Sequence, residues 1–285
     1  MEKIFLLGVG GQKCGTTWLH NYLNKHPQTD MGPMKEYHVW DRLLVEEHFD
    51  NNELILRKTS QKLNNHFKSI NNYKSLDLYN FPDSYFDFFN LLYNDSLNTR
   101  LVGDITPAYS MLNTDDFFRI KKGLESKGFT VKVVFLLRDP VERIWSQVRM
   151  KRRNLINKFG INYKHDITEE EQVLAWYTDV RCLKRTQYQS TIMALDSTFG
   201  KGNLYIGFYE SFFETQNIKS LCHFLNIDFK TPDFDLRVNA SPKNLHLSID
   251  TQKLIANFYK ETYCYVESNF GYDTVYNLWS SYKLL

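Results

Sequence analysis

The sequence predicts an α/β protein: a P-loop-like, mainly parallel sheet flanked by helices on both faces, with helical insertions. Three observations predict it. An apolar run, Ile4-Phe5-Leu6-Leu7, passes through a glycine-rich turn into an amphipathic segment that begins at Thr16. A second apolar run, VKVVFLL over 131–137, is followed by Arg138 and then Asp139-Pro140, a helix-start pair with proline in the first position. Strand-like and helix-like segments then alternate toward the C-terminus, as parallel strands with helical crossovers require.

The elements follow in order. Residues 3–9 form a buried strand, and 16–25 a helix stopped at His26-Pro27, because the residue before a proline is pushed out of helical geometry. Residues 51–80, rich in Asn, Lys and Ser with scattered Leu and Phe, make a peripheral helical or loop region; 84–94 is aromatic-rich and helix-like. After the 131–137 strand, 168–195 is mostly helical, and Thr168-x-x-Glu171 has capping-box spacing. Residues 203–208 make another strand, 218–225 an amphipathic helix and 248–269 a terminal helix. With no internal repeat and no linker, 1–285 is read as one domain.

Composition narrows the function classes. Lys+Arg 35 against Asp+Glu 33 leaves a net charge of +2, so no global field points to nucleic acid or a membrane surface. No apolar run approaches the roughly 20 residues that span a bilayer. Met1-Glu2-Lys3 runs directly into the first strand, which predicts no signal peptide. The four cysteines lie far apart and predict reduced thiols in a cytoplasmic protein. The histidines show no metal-ligand spacing, so no metal is expected.

The stretch Gly8-Val9-Gly10-Gly11-Gln12-Lys13-Cys14-Gly15-Thr16-Thr17 carries the chemistry. A glycine turn between strand and helix aims N–H groups and a helix N-terminus at an anion, usually phosphate. The spacing Gly10-x4-Gly15-x-Thr17 is that of a nucleotide P-loop, but Thr16 stands where that loop has lysine, and the lysine sits at Lys13. Lys13 therefore reaches a different part of the ligand. Cys14 is read as a small loop residue. At the second strand's end, Arg138 emerges on the same rim, and Ser146 lies two turns into the next helix; a guanidinium fork and a hydroxyl can hold a second, separate phosphate. Asp139 is either a helix cap or, as a rival, a Mg-binding acid.

Here the chain resembles a known family. Gln12-Lys13-Cys14-Gly15-Thr16-Thr17-Trp18 resembles the 5′-phosphosulfate loop of sulfotransferases, and Arg138-Asp139-Pro140 with Ser146 resembles their 3′-phosphate site. The resemblance implies a co-substrate, 3′-phosphoadenylyl sulfate (PAPS), held by Lys13, Cys14, Gly15, Thr16, Thr17, Trp18, Arg138 and Ser146. Lys13 would also stabilise the leaving 5′-phosphate.

The acceptor needs a group to take its proton. Met34-Lys35-Glu36-Tyr37-His38-Val39-Trp40-Asp41 resembles a K-E-x-H-F-F-D segment of the heparan-sulfate-type branch, which implies Glu36 as base, His38 as runner-up or helper, and Lys35 and Asp41 beside the acceptor. On an extended segment Glu36 and His38 point to the same side. Gly103-Asp104-Ile105-Thr106-Pro107-Ala108-Tyr109 resembles the acceptor-cleft segment E-x-[ST]-P-x-Y, with Thr106 and Tyr109 on the acceptor; the alternative is a proline turn. Arg149, Lys151, Arg152 and Arg153 either meet an acidic acceptor or form a solvated helix face. Residues 237–243 are a candidate cofactor-closing loop. Residues 42–100 and 150–185 match no motif and are read as acceptor-side insertions. The expected reaction is sulfuryl transfer from PAPS to a hydroxyl or amine of a carbohydrate, small metabolite or lipid. The rivals are a P-loop kinase using Mg-ATP and a non-catalytic binding module.

Overall fold

A computed structural model describes residues 2–48, 52–67, 76–160, 165–235 and 246–285. Its centre is a five-stranded parallel sheet of β1 (Ile4–Gly10), β2 (Thr29–Asp30), β3 (Leu101–Ile105), β4 (Thr130–Leu137) and β5 (Leu204–Phe208), in the order β2-β3-β1-β4-β5. β1 is buried along its whole length, because strands pair on both of its edges and helices cover both faces. Gly8 pairs with Ile105 on one side and Val134 on the other, so the carboxyl ends of β1, β3 and β4 share one rim. Ligands of such sheets bind at that rim.

Two apolar cores sandwich the sheet. Leu6, Trp18, Leu19, Leu23, Ile218 and Leu221 belong to one, which packs the helices Thr16–Asn24 and Thr215–Phe224 against the strands. Phe5, Leu7 and Phe135 belong to the other, with the helices Ser84–Asn94, Thr114–Glu125, Pro140–Phe159 and Tyr188–Phe199. The polar 51–80 stretch contains the helix Asn52–His66, whose Leu56 and Leu63 join this second core.

Among the elements that escaped the sequence reading are two strands and the helix Thr114–Glu125. β3 is only LVGDI and carries a glycine and an aspartate; β2 has two residues; the helix Thr114–Glu125 opens on a capping box between Asn113 and Asp116. Two helical stretches are subdivided. The 168–195 region holds three helices, Glu169–Trp176, Val180–Lys184 and Tyr188–Phe199, and the Thr168–Glu171 capping box opens the first. The expected single helix over 248–269 is two, Ile249–Phe258 and Lys260–Phe270, broken at Tyr259 (φ −97°, ψ 18°). The Tyr259 hydroxyl donates to the Tyr177 carbonyl at 2.5 Å, and the turn brings Tyr263 onto Asp139 at 2.7 Å. Among the described residues, no helix is long and apolar enough to cross a membrane.

Candidate active site

A cavity of about 800 Å³ opens at the carboxyl rim, between the loop after β1 and the helix after β4. The loop is built by its glycines. Gly15 caps the helix Thr16–Asn24 in the left-handed region (φ 87°), and a Cβ there would press on the Phe213 ring at 3.1 Å. The helix N-terminus thus opens toward the cavity, with Lys13, Gly15, Thr16, Thr17 and Trp18 in its wall. Cys14 is the small loop residue expected but does not line the cavity as a cofactor contact: it is fully buried, and its amide donates to the Gly11 carbonyl at 3.2 Å. Burial pushes its thiol up to about 12, which leaves no thiolate for a nucleophile.

Lys13 is held in a crowd of like charge. Burial, then Arg153, Arg138, Lys35 and Arg149, lower its ammonium to about 8. An anion in the cavity reverses that penalty. Arg138 leaves the end of β4, donates to the Lys13 carbonyl at 3.1 Å and to Glu142 at 3.3 Å, and stacks over the Tyr209 ring at 4.3 Å. The two anion motifs are therefore bonded to each other.

Asp139 serves as the helix cap. It accepts the Val141 amide (3.1 Å), the Tyr263 hydroxyl (2.7 Å) and the Ser281 amide (2.8 Å), and is 1% exposed. Its carboxylate is thereby turned into the core rather than toward the cavity. One face of the helix Pro140–Phe159 lines the cavity through Ser146, Arg149, Met150, Arg153 and Asn154, spaced as a single helical stripe. This corrects the solvated-face expectation: Arg149 and Arg153 face the cavity, while Arg152 donates to the Ile167 carbonyl at 2.9 Å and Lys151 sits over the Trp176 ring.

Across the cavity stand Lys35, Glu36 and His38. Lys35 pairs with Glu36; His38 Nε2 meets Glu36 Oε2 at 3.0 Å and His38 Nδ1 meets Asp41 Oδ2 at 3.0 Å. The segment is not simply extended, because His38 has left-handed backbone (φ 52°), yet the expected meeting of Glu36 and His38 occurs. Burial alone would raise Glu36; hydrogen bonds from His38 and Lys35 outweigh it and hold the carboxyl at about 2. Burial alone would lower His38; Asp41 and Glu36 outweigh it and hold the imidazole at about 9. At neutral pH the pair is a carboxylate clasped by an imidazolium.

Three expected acceptor residues lie behind this wall and not in it. Asp41, Thr106 and Tyr109 are fully buried. Asp41 orients the His38 ring. Thr106 Oγ1 accepts the Tyr37 amide at 3.0 Å, and the Tyr109 hydroxyl oxygen accepts the Val39 amide at 3.3 Å. Both hydroxyls donate to the buried Asp104 carboxylate, at 2.6 and 2.8 Å, as does Tyr85 at 3.0 Å. The proline-turn reading also holds, since the 3₁₀ turn Pro107–Met111 starts here, and its Pro107 and Ala108 do reach the cavity. The loop expected at 237–243 lies outside the described residues.

Sequence reasoning missed the cavity's aromatic end and the Arg185 side chain. Tyr209 and Phe213 come from the run after β5, and Phe234 stacks parallel to Trp18 with centroids 5.8 Å apart. The signal was the aromatic density of Phe208-Tyr209-Glu210-Ser211-Phe212-Phe213 at a strand's carboxyl end. Arg185 reaches back to Gln12 Oε1 at 3.4 Å and carried no local motif.

These features agree with the comparisons. A family model described as "Sulfotransferase family" matches residues 4–231, from β1 to past the helix Thr215–Phe224. Among solved structures, a sulfotransferase from Alicyclobacillus acidocaldarius is similar with a TM-score of 0.62 and 18% identity, over 94% of this chain and 96% of that one. A sulfotransferase domain from the curacin biosynthetic pathway aligns with a TM-score of 0.49 and 18% identity, over 91% and 97% of the two chains. A sulfotransferase domain from the Synechococcus PCC 7002 olefin synthase aligns at 0.46 and 16%, over 90% and 94%. No curated protein matches the chain in sequence. The match over residues 4–231, on a sheet whose rim carries the loop of Lys13 and the helix of Arg138, establishes that the chain belongs to the sulfotransferase family.

Proposed function

We propose that the protein transfers a sulfuryl group from PAPS to a hydroxyl or amine of a carbohydrate or small-metabolite acceptor and releases adenosine 3′,5′-bisphosphate (PAP). The observation that carries this reading is one cavity with cations at two separate places, Lys13 in the loop and Arg138 with Ser146 at the start of the next helix, and a carboxylate, Glu36, on the opposite wall. A donor with phosphates at two ends and a transferable group between them fits that layout. An aromatic corner of Trp18, Tyr209, Phe213 and Phe234 suits a purine.

In this reading Thr16, Thr17 and the helix N-terminus hold the 5′-phosphate, and Lys13 meets the bridging oxygen as charge develops there. Arg138 and Ser146 hold the 3′-phosphate. The acceptor oxygen or nitrogen attacks sulfur in line; the bond from sulfur to the bridging oxygen breaks; the acceptor's proton passes to Glu36. Because Glu36 is held at about 2, it is a feeble base until the acceptor displaces Lys35 or His38 from it. Asp41, Thr106 and Tyr109 act behind Glu36 and His38, as positioning residues. Residues 150–185 supply part of the acceptor wall through Arg153 and Asn154.

The test compares binding and turnover. Wild type should be stabilised by PAP and not by Mg-ATP, and should transfer label from ³⁵S-PAPS to a component of a cell extract. Glu36→Gln should bind PAP as wild type does and lose turnover by about 10²-fold or more. Stabilisation by Mg-ATP alone would favour a kinase; PAP binding without transfer to any acceptor would favour a non-catalytic module; normal turnover by Glu36→Gln would remove Glu36 as base.

A further inference from the structure

Arg149 stands in the cavity wall with an incompletely satisfied guanidinium. Arg149 is 8% exposed, and among the described residues its Nε and Nη1 are buried without a hydrogen-bond partner. Its guanidinium lies over the Trp145 ring at 4.4 Å, which fixes its plane but accepts none of its N–H groups. An arginine keeps its charge in proteins, so burial does not silence it. A buried charge without an acceptor is costly, and its retention in a cavity wall points to an anion that arrives later.

The neighbours say where that anion sits. Ser146 and Arg149 are three residues apart on one helix, so they are surface neighbours on the same face, and both line the cavity with Arg138. The two arginines repel: burial first, and Arg138 among the charges, disfavour the Arg149 cation, while Glu142 and Glu169 favour it. They are not equivalent, however. Arg138 is paired with Glu142 at 3.3 Å; Glu142 attracts Arg149 as well, but the Nε and Nη1 of Arg149 keep no hydrogen-bond partner. A singly charged group would satisfy one guanidinium and leave the other repelled. A phosphomonoester dianion, with three terminal oxygens, satisfies both forks and the hydroxyl.

We infer that Arg149 is a third ligand of the donor's 3′-phosphate, and that it supplies most of the discrimination between donors with and without that phosphate. This rests on the PAPS reading above and adds a residue to it. Arg138 and Ser146 hold that phosphate beside it, with Arg138 also bonded to the Lys13 carbonyl.

The experiment is calorimetric titration of PAP and of adenosine 5′-monophosphate into wild type, Arg149→Met and Arg149→Lys, with ligand-free melting curves of each. Arg149→Met should weaken PAP by between about 10- and 100-fold and leave adenosine 5′-monophosphate within about twofold, and Arg149→Lys should recover part of the loss. The ligand-free melting temperature of Arg149→Met should stay level or rise, because buried N–H groups without an acceptor are gone; a purely structural arginine predicts a fall. PAP affinity within about twofold of wild type in Arg149→Met, or equal losses for both ligands, would overturn the inference while leaving the donor reading intact. A wild type that binds PAP no tighter than adenosine 5′-monophosphate would overturn the donor reading and Arg149's role together.

Discussion

Thr106 couples Asp104 to the Glu36 segment: its hydroxyl donates to the Asp104 carboxylate at 2.6 Å, and the same oxygen accepts the Tyr37 amide at 3.0 Å. Tyr109 repeats the pattern one residue pair on, from Asp104 at 2.8 Å to the Val39 amide at 3.3 Å. The backbone on either side of Glu36 and His38 is thus pinned from inside the protein by a carboxylate that never reaches the cavity.

Thr106→Val keeps the shape and deletes the hydroxyl. It leaves the Tyr37 amide and one Asp104 oxygen without that partner, which should cost about 1–3 kcal/mol of stability. Turnover should fall while PAP affinity stays unchanged, because the donor side does not touch Thr106. Denaturant melts and PAP titrations check this; a matching loss of PAP affinity would contradict it.

Asp104 should also leave a pH signature. Burial raises its carboxyl to about 6 against an ordinary 3.8, despite three hydroxyl donors. The native state then binds the proton more tightly than the unfolded chain. Between pH 3.8 and 6 stability should therefore fall as pH rises, by up to about 3 kcal/mol from this residue. Asp104→Asn should flatten that part of the stability curve relative to wild type. An unchanged slope would show that the carboxyl titrates elsewhere.

Lys13 should make ligand binding pH-dependent. The free ammonium is held at about 8, and an anion beside it raises that value. PAP affinity should be flat below pH 8 and fall above it, by at most about tenfold per pH unit, with proton uptake on binding. Lys13→Ala should bind more weakly and lose the slope. Titrations in buffers of different ionisation enthalpy from pH 7 to 9.5 measure both effects.

His38 sets the poise of Glu36. His38→Ala deletes the strongest of the hydrogen bonds that keep the Glu36 carboxyl at about 2, so the carboxyl should move up toward its ordinary 4.5. The acid limb of kcat/KM, which reports the free enzyme, should move up in the same direction. Coincident acid limbs in wild type and variant would mean that Glu36 does not govern that limb.

Much of this arrangement was legible in the chain because local rules and the global fold agree there. β1 and β4 are continuous apolar runs, and each hands over to a helix through residues with one conformational reading, Gly15 in the left-handed region and Asp139-Pro140 as cap and first turn. Glu36 and His38 came from a local motif, and the two side chains do meet. What escaped was non-local. Thr106 and Tyr109 carry the same residue types whether they face an acceptor or brace the wall behind it, and only burial separates the two. Arg149 and Lys151 differ by two positions in one basic run, yet the helical turn sends one to the cavity and the other over Trp176. Arg185 and Phe234 reach the cavity through tertiary folding alone. The break at Tyr259 is set by what its ring and hydroxyl find across the core.

The bond from the Ser281 amide to Asp139 spans 142 positions of sequence. Seen in the order in which a ribosome delivers the chain, the consequence is temporal. The loop of Lys13, the strand carrying Arg138 and the helix it opens all emerge before Tyr263 and Ser281 exist to fill the remaining acceptor positions on Asp139. A nascent chain can build the sheet early, but it can close the foot of that helix only when Tyr263 and Ser281 have been made. Assembly of the cavity is therefore expected to be a late event that waits for the segment carrying Tyr263 and Ser281.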